Sequence, residues 1–170
     1  MAAAPVLAAL AVWGAAATWL AIVDLRTGTL PTRIIWSAAG IVWALLSVTS
    51  LLEAEPRGLR EAALGAAICS GALALVHFAH APSMGFGDVR LALLNGMLCG
   101  WWGWRVALLA LAAGFLAALP EAIITLARHG IRASRPLGPY LIAGTAGIAA
   151  WSSLTAGLVP LRDQLLGPLA

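Results

Sequence analysis

The sequence predicts an all-α, polytopic integral membrane protein of about six transmembrane helices. Composition is the first reason. Of the 170 residues, 62% are hydrophobic and 10% charged, where a soluble domain carries about 25% charged residues. Mean hydropathy is +0.94. So few polar side chains cannot coat a water-soluble globule. Segmentation is the second: apolar runs alternate with short polar loops, and about 20 apolar residues at 1.5 Å each cross the hydrocarbon core of a bilayer. The third is charge placement, since the arginines lie in the loops between the runs, as in membrane proteins generally.

Taken in order, residues Met1 to Val23 carry no charge. A secretory signal has a basic start and a shorter apolar region, so this segment is expected to stay as a first spanning helix. Residues Asp24 to Arg33 form a polar loop, in which Gly28 permits positive φ and Pro31 suits the first turn of the next helix. Ile34 to Leu52 is the second span, and Glu53 to Glu61 a short charged loop. Ala62 to Ala79 is the third. His80 to Asp88 is a central loop. Leu91 to Gly103 is a fourth, short run, so its helix takes in Val89 and Arg90 or the bilayer thins around it. Trp101, Trp102 and Trp104 cluster at its far end, as interfacial aromatics do. Val106 to Ala127 is the fifth span, expected to break at Pro120-Glu121. A basic loop from Arg128 to Arg135 leads to the sixth, Gly138 to Val159. No repeat, linker or low-complexity stretch divides the chain, so residues 1–170 read as a single membrane-embedded domain.

The formal net charge of +3 does not point to nucleic acid. No stretch combines enough arginine and aromatic residues to make such a platform, and the partner implied is the lipid bilayer. Cys69 and Cys99 sit inside apolar runs and form no CxxC. They imply neither a disulfide framework nor a zinc knuckle and read as small hydrophobes. With Asp24 facing the cytoplasm, Arg26, Arg33, Arg90, Arg128, Arg132 and Arg135 all face inward. Arg57, Arg60, Arg105 and Arg162 on the other side are diluted by Glu53, Glu55, Glu61 and Asp163. The positive-inside rule therefore favours a cell inner (plasma) membrane protein with Asp24 and Asp88 at the same, cytoplasmic edge.

Those two acids carry the functional reading. A carboxylate in the membrane costs roughly 2.5–3.5 kcal/mol on insertion scales and marks a functional site. As structural residues, Asp88 is an N-cap, and Asp24 a polar stop paired with Arg26. Capping does not account for Gly85 and Gly87, which flank Phe86 and let another backbone approach Asp88. As a pair, two carboxylates held close share one proton. The ionised member takes a proton from water and the neutral one donates to a peptide carbonyl, which is hydrolysis by general acid–base catalysis without metal or other cofactor.

Gly85-Phe86-Gly87-Asp88 followed by Val89-Arg90-Leu91 resembles the GxGD signature of intramembrane aspartyl proteases, and specifically the prepilin peptidase (type IV leader peptidase) family. Arg90 stands where that family commonly has lysine. Asp24-Leu25-Arg26 with Leu30-Pro31, the proline seven positions after the acid, resembles the family's first-aspartate motif. Pro136-Leu137-Gly138-Pro139-Tyr140-Leu141 resembles the Gly-Pro-aromatic segment opening its last helix. The resemblance implies Asp24 and Asp88 as catalytic residues. It also implies Gly85, Phe86, Gly87, Arg90, Pro31, Gly138 and Pro139 as active-site loop and substrate approach. The activity implied is removal of the basic leader from type IV prepilins or pseudopilins at the cytoplasmic face. Longer members carry paired CxxC motifs in an N-terminal domain and methylate the new N-terminus. This chain is similar to the short form, so neither zinc nor methyltransferase activity is expected.

Other residues have blander readings. Glu121 snorkels or pairs with an arginine, with lining the site or binding a substrate amine as its alternative role. His77 and His80 are interfacial, since two histidines three apart do not make a metal site. The loop arginines set topology and meet anionic headgroups, with substrate contact a second role for Arg90. Gly138 and Pro139 shape a kink beside the site. Two rivals use the same acids: a small proton-coupled transporter with a carboxylate relay, and a structural membrane subunit with two caps. A relay more naturally places acids at mid-membrane, whereas both lie at segment ends. The sequence names neither the pilin nor the oligomeric state.

Overall fold

In the structure, a computed structural model, residues 3–79, 85–129 and 136–166 are described, and all regular structure among them is helical. Six helices follow one another: α1 Ala3–Thr27, α2 Thr32–Glu53, α3 Arg57–Ala79, α4 Phe86–Gly100, α5 Trp104–His129 and α6 Gly138–Leu166. Four of them (α1, α2, α3 and α5) are long and apolar enough to cross a membrane. This is the all-α membrane class that composition and segmentation predicted.

Helix ends follow backbone chemistry more closely than they follow charge. The first helix does not stop at Asp24. It runs to Thr27 and is closed by Gly28, at φ 63°, whose N–H bonds the carbonyl of Asp24 at 2.8 Å. A glycine in the left-handed region is the commonest helix terminator; an acid is not one. Pro31 precedes α2 as its N-cap, at φ −68°, rather than lying in the first turn. Arg57 to Glu61 belong to α3, not to a loop. The Glu61 carboxylate accepts the N–H of Trp104 at 2.9 Å, so α3 caps the start of α5. The fifth helix is not broken: α5 runs straight through Pro120.

The helices pack as an alternating bundle with α4 at its centre, touching all five others. Eleven of the 15 residues of α4 are buried, so it faces protein rather than lipid. That resolves its length: at 1.5 Å per residue it spans only about 22 Å, but a helix enclosed by its neighbours need not match the bilayer. It starts earlier than expected, at Phe86, and ends earlier, at Gly100, with a turn at Gly103 (φ 135°). Two pairs come especially close: a Cβ on Gly96 of α4 would run into the backbone carbonyl of Gly65 of α3, and one on Gly144 of α6 into the backbone N of Gly114 of α5. Small residues let membrane helices come this near. Within the core, the Trp13 indole donates to Asn95 Oδ1 at 2.9 Å and Asn95 Nδ2 donates to the Leu141 carbonyl at 3.4 Å. This chain joins α1, α4 and α6. Large apolar side chains on the outer helices stay exposed, among them Leu51, Leu75, Phe78 and Trp151. Such a surface suits lipid, not water.

Candidate active site

The bundle's alternation puts the end of α1, the start of α4 and the start of α6 at the same pole. Each brings one of the segments singled out in the sequence. Asp24, in the last turn of α1, is 4% exposed, and Asp88, in the first turn of α4, is 9% exposed. The two carboxylates lie close enough for the charge of one to act on the other.

Asp88 is not the N-cap. Gly85 holds that position, at φ −71° and ψ 142°. Asp88 is the third residue of the helix, and the N–H of Gly85 faces its carboxylate. An acid reaching back to the N-cap amide is half of a capping box, so a structural contribution persists alongside any other. Asp24 is separated from Arg26 by environment: the carboxylate is buried and Arg26 is exposed. The Gly138 N–H faces the Asp24 carboxylate, while its Oδ2 atom is buried without a hydrogen-bond partner.

Two glycines are required by space. A Cβ on Gly138 would stand 2.5 Å from Asp24 Oδ2, and one on Gly87 would stand 2.9 Å from Leu30 Cβ. Gly85 differs: its added Cβ would meet Asp88 Oδ2 at 3.7 Å, an ordinary contact. The expectation that both glycines of the motif serve close approach therefore holds for Gly87 and not for Gly85. Leu30 joins the three segments, since it packs on Gly87 and its Cδ1 lies 3.6 Å from the same probe position on Gly138.

The remaining sequence-predicted residues have distinct places. Pro31 and Pro139 set helix starts. Pro139 is in the first turn of α6, where a missing N–H costs nothing, so it opens the helix and does not kink it. Phe86 is 42% exposed, with its ring 5.3 Å from that of His77 and the Arg90 guanidinium 4.6 Å over its centroid. Arg90 Nη1 donates to Thr32 Oγ1 at 2.7 Å. Thr32 escaped sequence reasoning, because its partner comes from a distant helix. Met84, His80, Arg132 and Arg135 lie outside the described residues. No group of three or more His, Cys, Asp or Glu suited to a metal occurs among the described residues.

A wide cleft of about 650 Å³ lies at the opposite pole, between Glu53, Glu55, Arg57, Trp101 and Trp104. Size does not make it the reactive centre. Its Glu61 is engaged as a helix cap, whereas the Asp24–Asp88 pole brings two carboxylates together out of water.

A family model described as the type IV leader peptidase family matches residues 8–126, a span that takes in both aspartates and ends before Gly138. No curated protein and no solved structure matches the chain.

Proposed function

Because the chain belongs to the type IV leader peptidase family, we propose that it is an aspartic endopeptidase that works inside the membrane on the dyad Asp24 and Asp88. One observation carries this: two acids 64 positions apart are buried together at one pole of a bundle that has few charges to spend. The dyad holds one proton between its members. The ionised carboxylate takes a proton from a water as that water's oxygen attacks the scissile carbonyl carbon. The neutral carboxyl gives its proton to the carbonyl oxygen. On collapse of the tetrahedral intermediate, one hydroxyl gives its proton to the ionised carboxylate as the C=O bond re-forms, the C–N bond breaks, and the neutral carboxyl protonates the leaving amine, which restores the singly protonated dyad. Acid and base are both supplied by protein, so neither metal nor covalent intermediate takes part. The pair titrates as a unit, and neither role belongs to one residue.

The substrates are type IV prepilins or pseudopilins, cut between a basic leader and an apolar helix. Gly85, Phe86, Gly87, Arg90, Pro31, Gly138 and Pro139 line or shape the approach. The arginine distribution supports a cytoplasmic orientation of this pole in the inner membrane. Residues 1–170 act as one membrane-embedded domain with peptidase and no methyltransferase activity. The rival relay reading is disfavoured by the site's position at helix ends rather than mid-bundle.

Purified protein incubated with a panel of prepilin leaders tests this. Cleavage just before the apolar helix of at least one substrate is expected. Failure to cut any member, with a known leader peptidase active in the same detergent, would refute the assignment.

A further inference from the structure

Neither Thr32 nor Arg90 has a step in the chemistry above, yet the two bond to each other beside the site. Arg90 lies two residues after Asp88, in the same opening stretch of α4. Thr32 opens α2, directly after the short loop that leaves the Asp24 end of α1. The 2.7 Å bond from Arg90 Nη1 to Thr32 Oγ1 thus ties α4, which bears Asp88, to the start of α2, which follows the Asp24-bearing end of α1 after a short loop. The guanidinium is held from a second direction by the Phe86 ring, 4.6 Å from its centroid, and that ring meets His77 at the end of α3. Charge on a guanidinium stacked over a ring and bonded to a hydroxyl is oriented, not loose.

We propose that Arg90 is a positioning residue: its bond to Thr32 braces the opening two turns of α4 against the first turn of α2 and so sets the spacing of Asp24 and Asp88. The brace rests on the dyad reading given above. It differs from two other roles for an arginine here, binding substrate and meeting a lipid headgroup, because both of those leave Thr32 without a part.

Thr32 therefore decides. Thr32→Val keeps the side chain's shape and removes the hydroxyl; Thr32→Ser keeps the hydroxyl and removes the methyl. With a cleavable prepilin, Thr32→Val and Arg90→Gln should each lower kcat on the order of ten- to a hundredfold with KM unchanged, as expected when reacting groups are misplaced by about 1 Å. Thr32→Ser should stay within about twofold of wild type, and the Thr32→Val/Arg90→Gln double variant should be no slower than the worse single. Thr32→Ala replaces Thr32→Val should the latter fail to accumulate. A rise in KM for Arg90→Gln beside a normal Thr32→Val would assign Arg90 to substrate and overturn the brace. So would a Thr32→Ser enzyme as slow as Thr32→Val, which would mean packing. An infrared titration of the carboxyl band that disappears in Asp24→Asn and Asp88→Asn needs no substrate. The band should titrate in two coupled steps in wild type and Thr32→Ser and lose that coupling in Thr32→Val; unchanged coupling in Thr32→Val would sink the proposal. A wild type that cut no prepilin would tell against the peptidase reading, while this titration would still decide the brace.

Discussion

A methyl group on Gly138 has nowhere to go. It would sit 2.5 Å from Asp24 Oδ2, so Gly138→Ala must push the carboxylate or shift the start of α6. We expect Gly138→Ala to lower the cleavage rate by on the order of a hundredfold, since a displacement near 1 Å has that effect on reacting groups. Gly85→Ala, whose Cβ meets only ordinary contacts, should cost far less, and the two rates side by side in one prepilin assay check the difference. At this scale the sequence was informative where chemistry is local. Asp24 and Asp88 stood out as acids in apolar surroundings, and Gly87 as a glycine beside one of them. It could not distinguish Gly87 from Gly85, because the difference is Leu30, which arrives from another part of the chain. Thr32 was invisible for the same reason: a threonine at a helix start is ordinary until an arginine from α4 is found on it.

Helices were legible as elements and illegible at their ends. Six apolar runs became six helices, but the boundaries followed glycine and backbone bonding, not the first charged residue. Asp24 reads as a stop in the sequence and lies within α1, because Gly28 supplies the left-handed turn. Pro120 reads as a break, and α5 continues through it. The removed hydrogen bond is tolerated where neighbouring groups satisfy the freed carbonyl. The seam of α3 and α4 yields a stability prediction. A side chain on Gly96 overlaps the carbonyl of Gly65 and would lie 2.9 Å from Cys69 Cβ, so Gly96→Val should separate the two helices. Overpacking of this kind costs about 1–3 kcal/mol. A lower thermal midpoint in detergent, against an equal or higher midpoint for Gly71→Ala, where a Cβ meets nothing within 4 Å and alanine is the better helix former, would bear this out.

For the molecule as a whole, alternation does the main task. Four crossings, α2 to α5, separate the end of α1 from the start of α6, and two separate it from the start of α4, so an even number returns each to the same pole. Two acids far apart in sequence thus become neighbours in a bundle that otherwise keeps charge at its edges. Two whole-molecule consequences follow from the proposed metal-free dyad. Treatment with a chelator should leave cleavage intact, and inhibition reversed by a divalent cation would refute the proposed chemistry. The rate should also follow a bell-shaped pH profile, falling on the acid side as the second carboxylate gains a proton and on the alkaline side as the shared proton is lost. A rate that only rises with pH would point to a single base.

The central claim is that Asp24 and Asp88 work as one site, and separate Asp24→Asn and Asp88→Asn variants test it most directly. Each is expressed with a tagged prepilin in cells lacking their own leader peptidase. General acid–base groups contribute on the order of 10²–10⁴-fold, so the prepilin should remain uncut in both strains while both variants accumulate in the membrane as wild type does. Normal processing in either variant would contradict it.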